Sequence, residues 1–394
     1  MLTEARFKFA LESLKMCILT EPKNNIFFSP HLVYHNLLVV YFGVSDDGDD
    51  ELTLEKALYI PSDLSKADVE QQYVLGGIKQ FCYALNKPAS SYTCRIFGRI
   101  LISEKREIFL RTLNLFETEH FAKEVNFNYR PHITRDFVNN CVAVLSQRHI
   151  KEMLPPDSID ENTDLILFNV IYVQSELDCN FELNTTPDAS VRKRIKNKKT
   201  KNSTDTNLNN GKSERLDAYI TELPCNEKKI STFFIYPSCH SESVKDKSTE
   251  SDRIAQLIKR LTTEEGSREL RRLMDVGLEQ QTDMRFPVFN VELSFDMKRL
   301  LDMLGLQKFM SSNMGELHEF SSHSLSIGTA IHRVKIELTR TSLTATASNA
   351  FITDDLCEYN AINVSDIETR SSCICLIYDR LYRNILFCGT ILGS

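Results

Sequence analysis

The residues best suited to chemistry in this chain are scattered. Cys239 and His240 are adjacent, so along an extended chain their side chains point to opposite sides and make a poor nucleophile and base. The acidic pairs Asp46-Asp47 and Asp354-Asp355 lie in polar, loop-like stretches, where solvated charge is the simpler interpretation. No phosphate loop, GxSxG, HExxH or paired CxxC motif occurs. The pattern predicts a protein that is not an enzyme and binds no metal or cofactor.

Charge and composition argue against several classes of partner. The 394 residues carry 47 Lys and Arg against 54 Asp and Glu, a net charge of −7, which argues against nucleic acid. No apolar stretch approaches the roughly 18 residues of a membrane span. Residues 1–10 lack the layout of a signal peptide, and eleven cysteines without metal-type spacing suit reduced thiols. We therefore expect a cytoplasmic chain, or a secreted one if this is a trimmed mature form.

A strongly basic run departs from this acidic background. It contains seven Lys or Arg in the twelve residues from 191 to 202: Arg192, Lys193, Arg194, Lys196, Lys198, Lys199 and Lys201. One interpretation is a site for a polyanion such as a heparin-like glycan. The other is a solvated loop, or an edge strand that lysine protects from aggregation.

Hydrophobic periodicity predicts helices in the N-terminal third. Residues 4–19 place apolar side chains every three or four positions. A second helix opens at Pro30 and is apolar on most sides, which indicates a central position. A third is predicted to begin at Thr134, as its cap, and to end before Pro155-Pro156.

A long apolar run and the strands after it set the fold class. Residues 164–174 are almost wholly apolar over nine positions and β-rich, which is typical of a strand buried on both faces. Asn169 lies in its middle, and a buried amide requires a polar partner. From Ile220 onward strands predominate, interrupted by helical stretches at 252–274 and 296–304. Without linkers or repeats, the order predicts one α+β domain spanning residues 1–394.

The segment 338–352, LTRTSLTATASNAFI, fits neither an ordinary strand nor an ordinary loop. Its Thr, Ser and Ala residues are compatible with a pleated strand but carry too little apolar bulk to fold alone. If it joins a sheet, alternate residues must face opposite sides. The inward set would be Leu343, Ala345, Ala347 and Asn349, and the outward set Thr344, Thr346 and Ser348.

Six stretches, taken in chain order, resemble the serpin family of protease inhibitors. They are NNIFFSPHLVYHNLLVVYFGV (24–44), LILFNVIYV (165–173), ITELPCNEKKISTFFIYP (220–237), MRFPVFNVELSFDMKRLLDMLGLQKFM (284–310), AIHRVKIEL (330–338) and RNILFCGTIL (383–392). The resemblance implies N-terminal helices packed on three mostly antiparallel β-sheets, with an exposed reactive loop at 340–365. It also implies a metastable monomer that acts as a suicide substrate. A protease cleaves the loop, and the loop then inserts into the large sheet and distorts the acylated protease.

The resemblance also assigns roles residue by residue. The hinge falls on Arg340, Thr341, Ser342, Leu343, Thr344 and Ala345, and the shutter beneath the sheet on Ser29, Asn169 and His332, with His332 expected to be the partner of Asn169. Leu32 stands where the family usually has a shutter serine. The hinge departs from the family's acidic, Gly-Thr, Ala pattern, because Ser342 lacks glycine's freedom and a bulky Leu343 could cost about 1–3 kcal/mol on burial. These departures leave a second hypothesis, a non-inhibitory serpin acting as a binding, carrier or chaperone-like protein.

Counting along the loop from the hinge places the reactive bond at Leu356–Cys357. Leucine before the bond suits a chymotrypsin-like serine protease. Cleavage after Cys357 would instead make Leu356 the second residue before the bond, which is the position that papain-like or cathepsin-like cysteine proteases recognise. Cleavage after Asp355 would indicate an Asp-preferring protease.

Overall fold

The structure is a computed structural model that describes most of the chain. The described residues are 2–46, 48–75, 92–104, 122–125, 127, 130–177, 209–225, 229–238, 249–278, 280–281, 286–310, 317, 327–353, 361–369 and 371–393. They form α1 (Leu2–Thr20), α2 (Pro30–Gly43), α3 (Asp49–Ala57), α4 (Lys66–Leu75), α5 (Pro131–Leu145), α6 (Glu250–Leu261), α7 (Glu264–Val276) and α8 (Lys298–Met303). A 3₁₀ helix, Gln307–Met310, follows α8.

Most of the strands in the described residues lie in the C-terminal half. They are β1 (Ile26–Phe28), β2 (Tyr92–Ser103), β3 (Ala122–Val125), β4 (Leu165–Glu176), β5 (Asn209–Ser213), β6 (Ala218–Pro224), β7 (Ile230–Pro237), β8 (Gln280–Gln281), β9 (Val288–Asp296), β10 (Thr329–Leu338), β11 (Ser342–Ile352), β12 (Asn363–Glu368), β13 (Cys373–Asp379) and β14 (Asn384–Ile391). Helices first and strands mostly later confirm the α+β class.

Two seven-stranded sheets contain all of these strands. The central sheet has the order β12-β9-β10-β11-β4-β2-β3, and the second sheet has the order β1-β14-β13-β7-β6-β5-β8. Neighbours are antiparallel except for β2 and β3, which are parallel. The resemblance to serpins implies three sheets. Within the described residues there are two, because β5 and β6 continue the ladder of β7 instead of forming a sheet of their own.

The buried side chains form three clusters that locate the central sheet. One packs α1, α2 and α6 on the second sheet. Another, which we call the inter-sheet core, lies between the two sheets and includes Ile171, Val334 and Phe234. The third lies between α5 and the central sheet. The central sheet is therefore covered on both faces, as the apolar run of β4 predicts; nine consecutive residues of that strand are buried.

Local signals explain the helix boundaries, including three that differ from the predictions: the start of α5, its end well before Pro155, and the division of 252–274. Helix α5 begins at Pro131 rather than Thr134, since proline fixes φ and has no N–H to satisfy in the first turn. It ends at Leu145 because Gln147 and Arg148 adopt positive φ angles of 53° and 64°. The stretch predicted as one helix over 252–274 is two helices, because Thr263 caps the second through the backbone N–H of Gly266.

Candidate functional site

The segment that suits both a strand and an exposed loop is a strand in this structure. Residues 342–352 form β11, which lies between β10 and β4 and pairs with both in antiparallel register. In this structure the first part of the 340–365 loop is inserted in the sheet and residues 363–365 belong to β12, so the exposed loop stays a prediction for the state before insertion. The physical reason for the insertion is the composition of the segment, whose small side chains fit between two neighbours that are already buried.

The two faces of β11 follow the predicted alternation. Leu343, Ala345 and Ala347 are fully buried in the inter-sheet core. On the other face, Thr346 Oγ1 donates a hydrogen bond of 2.8 Å to the Ile171 carbonyl, and Ser348 Oγ donates one of 3.0 Å to the Asn169 carbonyl. The hydroxyls of Thr346 and Ser348 are thus buried too, and each has a backbone acceptor, whereas Thr344 is only partly buried. A one-residue slip would place them in the apolar core.

The hinge residues are accommodated without backbone strain. The turn into β11 is closed by a 2.9 Å hydrogen bond from the Thr339 N–H to the Ser342 carbonyl, and Thr339 Oγ1 accepts from the N–H groups of Thr341 and Ser342. None of residues 340–345, all of them described, has a positive φ. Leu343 lies opposite Ser175, whose small side chain leaves room for it. The departures at Ser342 and Leu343 are therefore compatible with the inserted strand.

The predicted shutter residues lie beneath the middle of β11, but they pair differently from the expectation. Asn169 donates both hydrogens of its amide, at 3.0 Å to the Leu32 carbonyl and at 2.9 Å to Asn36 Oδ1. The expected pairing of Asn169 with His332 is wrong because β11 separates β10 from β4. Strand β11 places its own Asn349 between the two residues, opposite His332 on β10 and opposite Asn169 on β4.

His332 instead supports the start of α2. Its Nε2 accepts a hydrogen bond of 3.1 Å from the backbone N–H of Ser29. Ser29 Oγ donates to the Leu386 carbonyl at 2.7 Å and caps the helix by accepting from the N–H of Leu32. The backbone of Leu32 thus provides a donor and an acceptor where its side chain provides none. This arrangement ties the central sheet to α2 and to β14.

Asn36 is the functional candidate that the sequence reasoning missed. It is buried on α2, a helix whose residues are buried all round, and it bonds to Asn169. The signal was available, because Ser29, Leu32 and Asn36 are spaced three and four residues apart and so share one helix face. A polar residue on that face of a buried helix needs a polar partner.

Asn349 carries an energetic cost in the inserted strand. It is fully buried, and within the described part of the chain neither its Oδ1 nor its Nδ2 makes a hydrogen bond. A buried, unpaired polar group costs about 1–3 kcal/mol. Asn349 is thus the least favourable residue of β11 on the inward face.

We expect Asn349→Leu to stabilise the loop-inserted protein by about 1–3 kcal/mol, because it removes an unpaired amide and keeps a side chain branched at Cγ. The measurement is the thermal unfolding midpoint. Ser348→Ala is the matched contrast and should lower the midpoint, since it removes a hydroxyl that bonds to the Asn169 carbonyl. A lower midpoint for Asn349→Leu would contradict the assignment and indicate that the amide is satisfied in solution.

Buried histidines make stability depend on pH. Burial lowers the pKa of His332 to about 3 and that of His35 to about 4, and it lowers the pKa of His31 well below the usual 6.5. Below pH 6.5 these histidines bind protons in the unfolded chain but stay neutral in the folded chain. The free energy of unfolding therefore falls as the medium is acidified. Burial raises the pKa of Asp379 to about 6, which acts in the opposite direction between pH 6 and 4.

We expect unfolding in urea to shift to lower concentration between pH 7 and pH 5. Each buried histidine contributes a loss of about 2 kcal/mol over this range, against a gain of about 1 kcal/mol from Asp379. The loss from the three histidines exceeds the gain from Asp379, so the free energy of unfolding is lower at pH 5 than at pH 7. His332→Gln should reduce the difference between the two midpoints, and an unchanged difference would show that His332 titrates normally.

Several predicted residues lie outside the described part of the chain. These are the reactive-bond residues Leu356 and Cys357, the seven basic residues from Arg192 to Lys201, and Cys239 with His240. Cys373 and Cys375, which point to the same face of β13, are both buried in the inter-sheet core. Among the described residues there is no cluster of His, Cys, Asp and Glu suited to a metal ion, and no helix is long and apolar enough to cross a membrane.

Comparison with known proteins identifies the family. A family model described as "Serpin (serine protease inhibitor)" matches residues 4–393, so the chain belongs to the serpin family. "Serine protease inhibitor 88Ea" of Drosophila melanogaster is 24% identical over 402 residues, covering 97% of this chain and 88% of that protein. "Leukocyte elastase inhibitor" of Equus caballus is 26% identical, covering 89% of this chain and 88% of that protein.

A solved structure supports the same fold. The structure described as "Cleaved Serpin 42Da" matches with a TM-score of 0.73 at 17% identity, covering 100% of this chain and 98% of that one. At this identity the match establishes the fold alone. The six stretches that resemble serpins in sequence thus belong to a chain with the serpin architecture throughout.

Proposed function

We propose that this serpin inhibits a protease by acting as a suicide substrate. The observation that supports the proposal most directly is the fit of residues 342–352 as a central strand, hydrogen-bonded on both sides. A segment that joins the sheet so completely can supply the free energy for displacing an attached protease once the loop is cut. While the loop is exposed, the protein acts as a substrate trap and is not itself an enzyme.

The target is a chymotrypsin-like serine protease or a papain-like or cathepsin-like cysteine protease, and the reactive bond is Leu356–Cys357. Both statements rest on the sequence. Leu356 is the apolar residue before the bond, and the register is counted from the hinge at Arg340. The loop from 340 to 365 belongs to the single domain that includes residues 1–394.

The alternative, a non-inhibitory binding or carrier serpin, rested on the unusual hinge. Ser342 and Leu343 adopt ordinary extended backbone and fit their surroundings, so the hinge no longer favours that alternative. The alternative still has to be tested, because in the intact chain the first part of the loop is already a buried strand and is not presented to a protease.

The test is incubation with chymotrypsin and, separately, with a papain-like cathepsin, followed by denaturing electrophoresis. Inhibition predicts a band with the combined mass of both proteins that survives denaturant. The mass of the C-terminal fragment freed by denaturation identifies the bond, and Leu356→Gly should abolish the chymotrypsin complex. Cleavage without any stable complex would overturn the proposal in favour of the binding alternative.

The basic run supports an accompanying role in binding a polyanion such as a heparin-like glycan. Seven cationic residues in twelve form a concentrated charge in a chain whose net charge is −7. Elution from immobilised heparin should require less salt after replacement of Lys196, Lys198 and Lys199 by glutamine. Equal elution of both proteins would contradict this role.

A further inference from the structure

Two arginine side chains from different helices meet at the start of α1. Arg6 Nη2 donates a long hydrogen bond of 3.5 Å to Thr3 Oγ1, and Arg271 Nη2, from α7, donates one of 3.1 Å to the carbonyl of the same Thr3. Arg271 is only 6% exposed, and its guanidinium carbon lies 4.6 Å from the centre of the Phe7 ring. Two like charges are therefore held close together where little water reaches them.

The carboxylates nearby compensate these two charges incompletely. Arg271 contacts Glu4, whose side chain is 70% exposed, but Arg6 forms no ion pair with any described residue. Asp379, at the end of β13, is buried and accepts a hydrogen bond of 3.1 Å from the backbone N–H of Tyr382. Arg6 is therefore left without a counter-charge in contact with it.

Three side chains at this place carry hydrogen-bond donors that have no acceptor among the described residues. We call Arg6, Tyr34 and Arg271 the donor cluster, because the Nε of each arginine and the hydroxyl of the tyrosine are buried and make no hydrogen bond. Tyr34, on α2, is 2% exposed, and its ring contacts Phe9 of α1 edge-on, with 5.2 Å between the ring centres.

Electrostatic effects support the proximity of the three groups. Burial is the main cause that lowers the pKa of the Arg6 guanidinium, and both Tyr34 and Arg271 act on the same pKa. Burial likewise raises the pKa of Tyr34, against the opposing effect of Arg6, so the hydroxyl keeps its proton and remains a donor. Buried donors without acceptors are unfavourable, and several in one place indicate an acceptor supplied from outside the chain.

A small oxyanion has the chemistry that the donor cluster lacks. A guanidinium presents N–H groups in a planar fork that matches the oxygens of a phosphate or carboxylate, and a phenol hydroxyl can donate to a further oxygen. Tyr34 and Arg271 are almost completely enclosed. Enclosure favours a free ion over an anionic group carried on a sugar polymer.

We propose that Arg6, Tyr34 and Arg271 bind one small oxyanion, with the chemistry of inorganic phosphate, between α1, α2 and α7. The ion offsets the uncompensated charge of Arg6, accepts from the three unpaired donors and joins three helices. The site uses no residue of the reactive loop or of the shutter, so it does not depend on the proposed inhibitory function.

The test is calorimetric titration of the full chain with inorganic phosphate at pH 7, with the ionic strength held constant by chloride. We expect one ion bound per chain, and a thermal unfolding midpoint that rises with phosphate concentration, since the site exists only in the folded state. Arg6→Met should weaken binding by about tenfold or more, because it removes a charge-assisted donor. Tyr34→Phe should weaken it by about three- to tenfold, because it removes one neutral donor.

Two comparisons separate this site from general attraction of anions. Arg268→Met is the matched control for Arg6→Met, because Arg268 lies on α7 with a side chain that is 71% exposed, and it should leave the dissociation constant unchanged. Tyr34→Phe keeps the ring that packs on Phe9, so it should fold. Without phosphate its unfolding midpoint should not fall, because the lost hydroxyl has no partner in the protein.

Several results would overturn the proposal. One is the absence of both binding heat and a rise in midpoint with phosphate. Others are equal affinities of Tyr34→Phe and the unsubstituted protein, or equal losses in Arg6→Met and Arg268→Met. A lower midpoint of Tyr34→Phe without phosphate would show that the hydroxyl is already satisfied. If a heparin-like glycan lost affinity in Tyr34→Phe and phosphate did not, the ligand would be a polymer and the assignment to a small ion would be wrong.

Discussion

Ala347→Lys is expected to abolish the denaturant-resistant complex with chymotrypsin while leaving cleavage of the loop unimpaired. Ala347 is fully buried in the inter-sheet core, opposite Val334 on one side and Ile171 on the other. An ammonium group there would lose its hydration without gaining a partner, at a cost of several kcal/mol. Insertion should then stall before the strand is complete, and the protease should finish hydrolysis and leave.

The control for this experiment is the same substitution three residues earlier. Thr344 lies on the opposite face of β11, is only partly buried and pairs with Glu337, so Thr344→Lys places its charge beside a carboxylate. We expect it to retain complex formation. The measured quantity is the ratio of complex to cleaved protein at equal extents of reaction. If Ala347→Lys and Thr344→Lys give the same ratio, burial in the inter-sheet core does not govern inhibition.

Arg380→Ala is expected to lower the free energy of unfolding by about 3–5 kcal/mol, because it leaves a buried carboxylate without its counter-charge. Arg380 Nη2 lies 2.6 Å from Glu222 Oε1, and only 1% of the Glu222 side chain is exposed. The guanidinium also donates to Ser231 Oγ and to the Met274 carbonyl. One side chain thus joins β6, β7 and the end of α7 to the turn after β13.

The magnitude is checked by urea unfolding against an exposed ion pair. Arg268 and Glu264 form an i,i+4 pair with side chains 71% and 87% exposed, and Arg268→Ala should cost less than about 1 kcal/mol. Glu222→Gln combined with Arg380→Ala should recover part of the loss, since no unpaired buried charge remains. Equal costs for the two arginine variants would mean that the Glu222 pair is solvated in solution.

Much of the fold could be predicted from periodicity because its core elements are strongly patterned. The apolar stripe of α1 predicts a helix with one buried side, the apolar residues all round α2 predict a central helix, and the apolar run of β4 predicts a strand buried on both faces. The structure has all three. The alternation along 343–349 likewise predicted which side chains of β11 face the inter-sheet core, since the period of a strand is two.

What could not be predicted depends on contacts between distant parts of the chain. The division of 252–274 into two helices is an exception, because it depends on the local cap at Thr263 and on Gly266, where a Cβ would lie 2.0 Å from the Arg260 carbonyl oxygen. The partner of Asn169 depended on whether β11 was in the sheet, which no local pattern specifies. Strand β12 is short and mostly exposed, so its sequence carries almost no apolar signal.

The order of strands also determines what a single break in the chain would do. A cut between residues 353 and 361 severs a C-terminal piece that contributes β12 to one sheet and β13 and β14 to the interior of the other. β13 and β14 are buried along their whole length, and they pair with β7 and β1 from the larger piece. The nicked molecule should therefore migrate as one particle in gel filtration, and its two pieces should part only when both sheets melt.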